Sequence, residues 1–187
     1  MYGGARAEKE RIRQEIRTVN EGLTDEYRRE ASAEITRRVL ELPAWKQAKT
    51  VMAYSSMPQE PDTRALMDTA LREGKTLLVP RVVDGTSMVA LPVTDPDAME
   101  PGMLGIAVPA MPDGPVKVPA PDLILVPCMA ASPGGIRLGH GAGYYDRFLE
   151  AYSGTTVCLC FQTQLRADLP AEPTDIPMDY VITDGGD

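Results

Sequence analysis

DLILVPCMAASPGGIRLGHGAGYYDRFL, Asp122 to Leu149, decides how the rest of the chain is read. Leu123 to Val126 form a continuous apolar run of strand length, as expected for a strand buried on both faces. Glycines then recur at alternate positions, Gly139, Gly141 and Gly143, between Arg137 and Arg147. Tyr144, Tyr145, Phe148, Leu149 and Tyr152 follow at a spacing that suits one face of a helix beginning near residue 143. Strand, glycine loop and helix in this order place backbone N–H groups where they can converge on an anion, helped by the helix N-terminus. Arg137 and Arg147 add positive charge there. The competing reading is a tight connection that needs glycine only for its geometry.

Outward from this stretch the pattern repeats. Residues 5–18 read as a polar helix with Ile12 and Ile16 on one face, broken at Gly22. Thr24 caps the next helix, with Asp25 and Glu26 in its first turn. Tyr27, Ala31, Ile35, Val39 and Leu42 keep helical spacing until Pro43, and Trp45 follows as a core anchor. Thr50 to Tyr54 reads as a strand, and Asp62 caps a helix over Thr63 to Glu73 that Gly74 closes. Thr76 to Val79 forms a strand that Pro80 is expected to end, and Ser87 to Val93 forms a third. Residues 94–121 are rich in Pro and Gly and read as a long irregular connection. Thr156 to Phe161 and Tyr180 to Thr183 are the last strands. This order predicts an α/β fold with three layers: a mainly parallel sheet with helices on both faces, in one domain over residues 1–187.

Bulk composition narrows the function. The chain has 187 residues, 43% of them hydrophobic, enough for a sizeable core. Its net charge of −8 argues against a general nucleic-acid binder, yet a local Arg and Lys cluster can still hold a small anion. No apolar run approaches a membrane span, and the N-terminal residues have no signal-peptide core, so a cytoplasmic protein is expected. Cys128, Cys158 and Cys160 form no regular framework and read as reduced core thiols, with Cys158 and Cys160 facing one side of a strand. Two familiar phosphate motifs are excluded. Gly74-Lys75-Thr76 ends a helix rather than opening one, and Thr69 stands where a P-loop needs glycine. The glycine run also lacks the spacing and the early position of a dinucleotide fingerprint.

RLGHGAGYYDRFL resembles the signature of the 5-formyltetrahydrofolate cyclo-ligase family, also called 5,10-methenyltetrahydrofolate synthetase. The resemblance extends to KERIR (Lys9 to Arg13), AYSSMPQEPDT (Ala53 to Thr63), GKTLLVPRV (Gly74 to Val82), FQTQ (Phe161 to Gln164) and TDIPMDYVIT (Thr174 to Thr183). It implies an enzyme that uses ATP and Mg²⁺ to close 5-formyltetrahydrofolate into 5,10-methenyltetrahydrofolate. By resemblance, Lys9, Arg13, Arg137, Gly139, His140, Gly141, Ala142, Gly143 and Tyr144 hold ATP. Met57, Glu60, Tyr144 and Tyr145 line the folate pocket, and Asp146 and Asp175 hold Mg²⁺. Arg137, Tyr144 and Tyr145 are the implied catalytic residues, whereas His140 is expected to act through its backbone rather than as a base. Read by themselves, Lys9 and Arg13 would pass for a solvated helix face, and Asp146 for a charge at a helix start.

The match departs from the family pattern at Ala131 and Ser132 (Phe-Asp), at Val108 (Glu), and at Thr174 (His or Asn). Two alternatives therefore stand beside the cyclo-ligase: a relative using ATP on another formylated or pterin-like substrate, and a non-catalytic regulator that binds nucleotide or folate. The expected partner is a small reduced formylfolate, with no nucleic acid or membrane, on a monomer or weak dimer.

Overall fold

The computed structural model describes residues 3–186. Helix α1 (Gly3–Glu21) ends just before Gly22. Helix α2 (Asp25–Glu41) starts as its sequence demands, with Thr24 accepting a hydrogen bond from the Tyr27 N–H at 3.1 Å. A short α3 (Pro43–Gln47) buries Trp45 and leads into β1 (Thr50–Met52). Helix α4 (Arg64–Arg72) follows, with the Asp62 carboxylate accepting from the Arg64 N–H at 2.9 Å. Then come β2 (Thr76–Val82), β3 (Met88–Pro92), a small hairpin of β4 (Glu100–Pro101) and β5 (Ala107–Val108), and β6 (Leu123–Pro127). A second hairpin, β7 (Ala130–Ala131) and β8 (Arg137–Leu138), precedes α5 (Tyr144–Leu149), β9 (Thr155–Leu159) and β10 (Tyr180–Ile182).

Six strands form one sheet in the order β10-β9-β6-β1-β2-β3. All pairings are parallel except β2 with β3. Alternation along the strands sorts the core into two layers. Val51, Leu77, Val79, Leu123, Leu125, Val157 and Leu159 face α2, α3 and α4. Met52, Leu78, Ile124, Val126, Cys158 and Cys160 face α5 and the Leu165–Met178 segment. The expected three-layer α/β arrangement is thus present, and the cysteines lie on one face of the sheet as their spacing implied. Burying these strands contributes roughly 25 cal/mol per Å² of apolar surface removed from water. Helix α1 stands apart from both layers. Its Ile12 and Ile16 pack against Met129, Ala130 and Leu138 of the second hairpin.

Three local expectations change. β1 is shorter than Thr50–Tyr54, and residues 94–121 contain the β4–β5 hairpin. β2 runs through Pro80, which does not end it. The Val93 N–H bonds the Leu77 carbonyl, and the Val83 N–H bonds the Ser87 carbonyl, so odd-numbered residues of β2 face β3. The Pro80 nitrogen therefore points toward β1, beyond that strand's last ladder position at Met52. The same alternation turns Pro92 outward on the unpaired side of β3. Among the described residues no helix is long and apolar enough to cross a membrane.

Candidate active site

The sheet grows outward from β1 to β2 and β3, then back across β1 to β6, β9 and β10. A crevice opens at such a reversal, beyond the carboxyl ends of the strands. Tyr54 and Ser55 after β1, Pro80 to Val82 at the end of β2, and Pro127 at the end of β6 line a cleft of about 1020 Å³. Lys9, Arg13, Met57, Glu60, Arg137, Gly139, His140, Gly141, Ala142, Gly143, Tyr144, Tyr145, Asp146 and Asp175 all line this same cleft. Four stretches distant in sequence therefore meet at one place.

The glycine run does not leave β6 directly, as its sequence suggested. It leaves β8, so the hairpin aims it across the cleft. Gly141 has φ +104, a conformation that side-chain-bearing residues rarely adopt. None of the backbone N–H groups from Gly139 to Gly143 donates a hydrogen bond within the described residues. The Arg13 guanidinium lies against Gly141 and donates to the Gly139 carbonyl at 2.9 Å, holding the loop's shape. With only six residues, α5 adds little dipole to this loop, so the helix contribution expected from sequence is small.

Arg137 is buried, with 8% of its surface exposed. It donates to the Pro127 carbonyl at 3.1 Å and to Asp146 at 3.0 Å, and its guanidinium lies 5.6 Å from the centre of the Tyr145 ring. Its Nε has no partner among the described residues, an uncommon state for a buried donor. Arg147 behaves differently from the sequence expectation. It donates to the Thr86 and Ala142 carbonyls and stacks on Tyr144, tying loops together outside the cleft lining.

Glu60 is buried and fully engaged. One oxygen accepts from the Met57 N–H at 2.8 Å, and the other lies 3.2 Å from His140 Nε2. His140 thus has a side-chain role, joining the glycine loop to the Met57 loop, which its position between glycines did not reveal. Burial pushes the Tyr145 phenol well above its usual range. The Glu60 charge adds to this and Arg137 opposes it, so the phenol stays protonated at neutral pH.

Lys9 bridges Asp175 at 2.8 Å and Glu172 at 2.6 Å. Burial alone would lower its pKa, but the two carboxylates outweigh this and raise it. Asp146 and Asp175 are both hard oxygen donors at the cleft, each paired with a cation. No group of three or more candidate metal ligands occurs among the described residues. One or two carboxylates suit Mg²⁺ that arrives with phosphate and water as its other ligands.

Of the departures from the family pattern, Val108 and Thr174 line the cleft. Ala131 and Ser132 do not. Ala131 is core, and Ser132 Oγ accepts from the Ile136 N–H at 3.0 Å, closing the β7–β8 turn. Sequence reasoning missed Arg6, Glu10, Arg81, Glu172 and the β4–β5 tip at Met103 and Leu104, all of which line the cleft. Arg6 was signalled by its place three residues before Lys9, on the same helix stripe. The Pro- and Gly-rich composition of 94–121 suits a segment that shapes a site rather than a core, but it does not single out the tip, whose position depends on how the hairpin folds back.

The chain matches the 5-formyltetrahydrofolate cyclo-ligase family over residues 5–184. It is 34% identical to the 5-formyltetrahydrofolate cyclo-ligase of Mycolicibacterium smegmatis, over 72% of this chain and 73% of that protein. It is 30% identical to a probable 5-formyltetrahydrofolate cyclo-ligase of Schizosaccharomyces pombe, over 86% of this chain and 87% of that protein. The NMR structure of Aquifex aeolicus 5,10-methenyltetrahydrofolate synthetase superposes with a TM-score of 0.82 at 30% identity, covering 95% of this chain and 90% of that one. Sequence match and fold together show that this chain belongs to the 5-formyltetrahydrofolate cyclo-ligase family.

Proposed function

We propose that the protein converts 5-formyltetrahydrofolate to 5,10-methenyltetrahydrofolate, consuming ATP with Mg²⁺ and releasing ADP and phosphate. The observation that carries this is the convergence of Lys9, Arg13, Glu60, Arg137, Asp146, Asp175 and the glycine loop on one cleft. The formyl oxygen takes the terminal phosphoryl group and ADP leaves. N10 then attacks the activated carbon, loses its proton, and phosphate departs with the former formyl oxygen. Such chemistry asks the protein mainly for positioning and charge stabilisation.

In this reading the free N–H groups of Gly139 to Gly143 receive phosphate oxygens, and Lys9, Arg13 and Arg137 oppose their charge. Met57 packs on the pterin, and buried Glu60 accepts from its N–H groups, exchanging present partners to do so. Tyr144 and Tyr145 lie between the two substrates. Asp146 and Asp175 would hold Mg²⁺, which screens the phosphate charge and shapes the nucleotide. The reaction runs in one domain, as a monomer or weak dimer. The free buried thiols support a reducing, cytoplasmic setting. Val108 and Thr174 favour the second reading, a different formylated or pterin-like substrate, because both alter the cleft wall.

The test is direct. Purified protein with MgATP and 5-formyltetrahydrofolate is followed by the near-ultraviolet absorbance of the methenyl product. Product that requires protein, ATP and Mg²⁺ supports the cyclo-ligase; nucleotide binding without product shifts the reading to another acceptor or a binding role. Two variants test the parts. Asp146→Asn is expected to lower turnover about 10²-fold at limiting magnesium, with partial recovery in a magnesium titration. An unchanged magnesium profile removes Asp146 from that role. Glu60→Ala is expected to raise the KM for the folate about 10-fold or more and the KM for ATP by clearly less, since its tie to His140 reaches the glycine loop. Equal effects on both would end its pocket assignment.

A further inference from the structure

Of the five Lys and Arg side chains that line the cleft, four are paired with carboxylates of the protein itself. Arg13 pairs with Glu10, Arg81 with Glu100, Arg137 with Asp146, and Lys9 with Asp175 and Glu172. Lys9 differs from the rest in having two acidic partners, and these are not equivalent. Asp175 is anchored twice, because its Oδ2 also accepts from the Glu172 N–H at 2.7 Å. The Glu172 side chain bonds only Lys9 among the described residues. One carboxylate would balance the Lys9 charge. The second leaves the triad with net negative charge at the wall where nucleotide phosphates are placed above.

We propose that Glu172 is a positioning residue that restrains Lys9, so that a nucleotide must draw the ammonium away from it before Lys9 can serve the phosphates. The inference rests on the nucleotide reading of the cleft. Lys9 is 8% exposed and lies at the cleft wall, so a short swing of its flexible stem changes its partner without moving α1. The restraint sets a threshold that a weakly charged ligand does not cross, since only a polyphosphate offers enough charge to replace the carboxylate.

The experiment measures ATP binding in EDTA, without any divalent cation, so that the protein's own groups meet the phosphates and the Lys9→Met background separates the share of Lys9. Glu172→Gln keeps the shape and a hydrogen-bond acceptor but removes the charge. It is expected to tighten metal-free ATP about 5-fold relative to the native chain. In a Lys9→Met background the same change should have little effect, since there is no ammonium to release. Unchanged or weaker ATP binding by Glu172→Gln overturns the restraint and leaves Glu172 as a strut between α1 and the Glu172–Asp175 turn. An equal gain with and without Lys9 also overturns it, because that is the response to general field alone. If the native chain fails to bind ATP even with magnesium, the nucleotide reading falls and this inference falls with it.

Discussion

Replacing Arg137 by Met should lower kcat/KM for MgATP by about 10³-fold while the chain still folds. The size follows from what the guanidinium does at once. It neutralises Asp146, satisfies the carbonyl at the end of β6, and places a fixed positive charge in the cleft wall. A methionine of similar length supplies none of these and leaves Asp146 without its cation. Folding should suffer by only about 1–2 kcal/mol, because Asp146 is 40% exposed and water can solvate it. Arg137→Lys should recover little, since one ammonium cannot reproduce donors directed at separate acceptors. Steady-state kinetics with a matched melting curve decide the matter. A loss smaller than 10-fold, with Tm clearly lowered, would make Arg137 a structural residue.

Gly135→Ala is expected to be the most damaging small substitution for stability. Gly135 has φ +93, and a Cβ there would lie 2.6 Å from the Met178 carbonyl oxygen. The obstacle is backbone, so no rotamer can relieve it. The Met178 N–H also donates to the Gly135 carbonyl at 2.9 Å, which ties the β7–β8 turn to the segment entering β10. Opening that contact exposes Met178, which is buried at 5%. Together these should cost about 3 kcal/mol. For a chain of this length that lowers Tm by roughly 6–12 °C. Thermal unfolding by circular dichroism reads the shift. A change below 2 °C would mean that the turn relaxes freely. Activity at low temperature should persist, because Gly135 does not line the cleft.

Periodicity made the fold readable where one element dictates its own state. The continuous apolar runs in Leu123–Val126 and Val157–Cys160, the Thr24 cap and the helical spacing of Ala31, Ile35 and Val39 all depend on neighbours in the chain. Pro80 misled because its effect depends on which neighbour its nitrogen faces, and strand order decides that. The β7–β8 hairpin was hidden for a similar reason. Its paired segments, Ala130–Ala131 and Arg137–Leu138, are two residues each and have no periodicity to detect.

The site divides the same way. The glycine run was read from its own spacing and Lys9, Arg13 and Glu60 through motif resemblance, and the cleft gathers them. Their partners were not found. His140 against Glu60 and Glu172 against Lys9 join positions 80 and 163 residues apart, and neither pair leaves a local mark. Arg147 was misassigned because flanking charge says nothing about direction. Its carbonyl partners at Thr86 and Ala142 exist only once the loops are assembled.

The borders of the sheet bear on strand addition from outside. A foreign strand pairing with β3 needs the outward N–H groups of residues 88, 90 and 92, and Pro92 has none. Only Met88 and Ala90 remain as donors along that rim. The opposite rim, β10, is three residues long. A chain whose interior strands are almost wholly apolar thus presents, on both sides, too short a template to propagate a ladder into a second molecule.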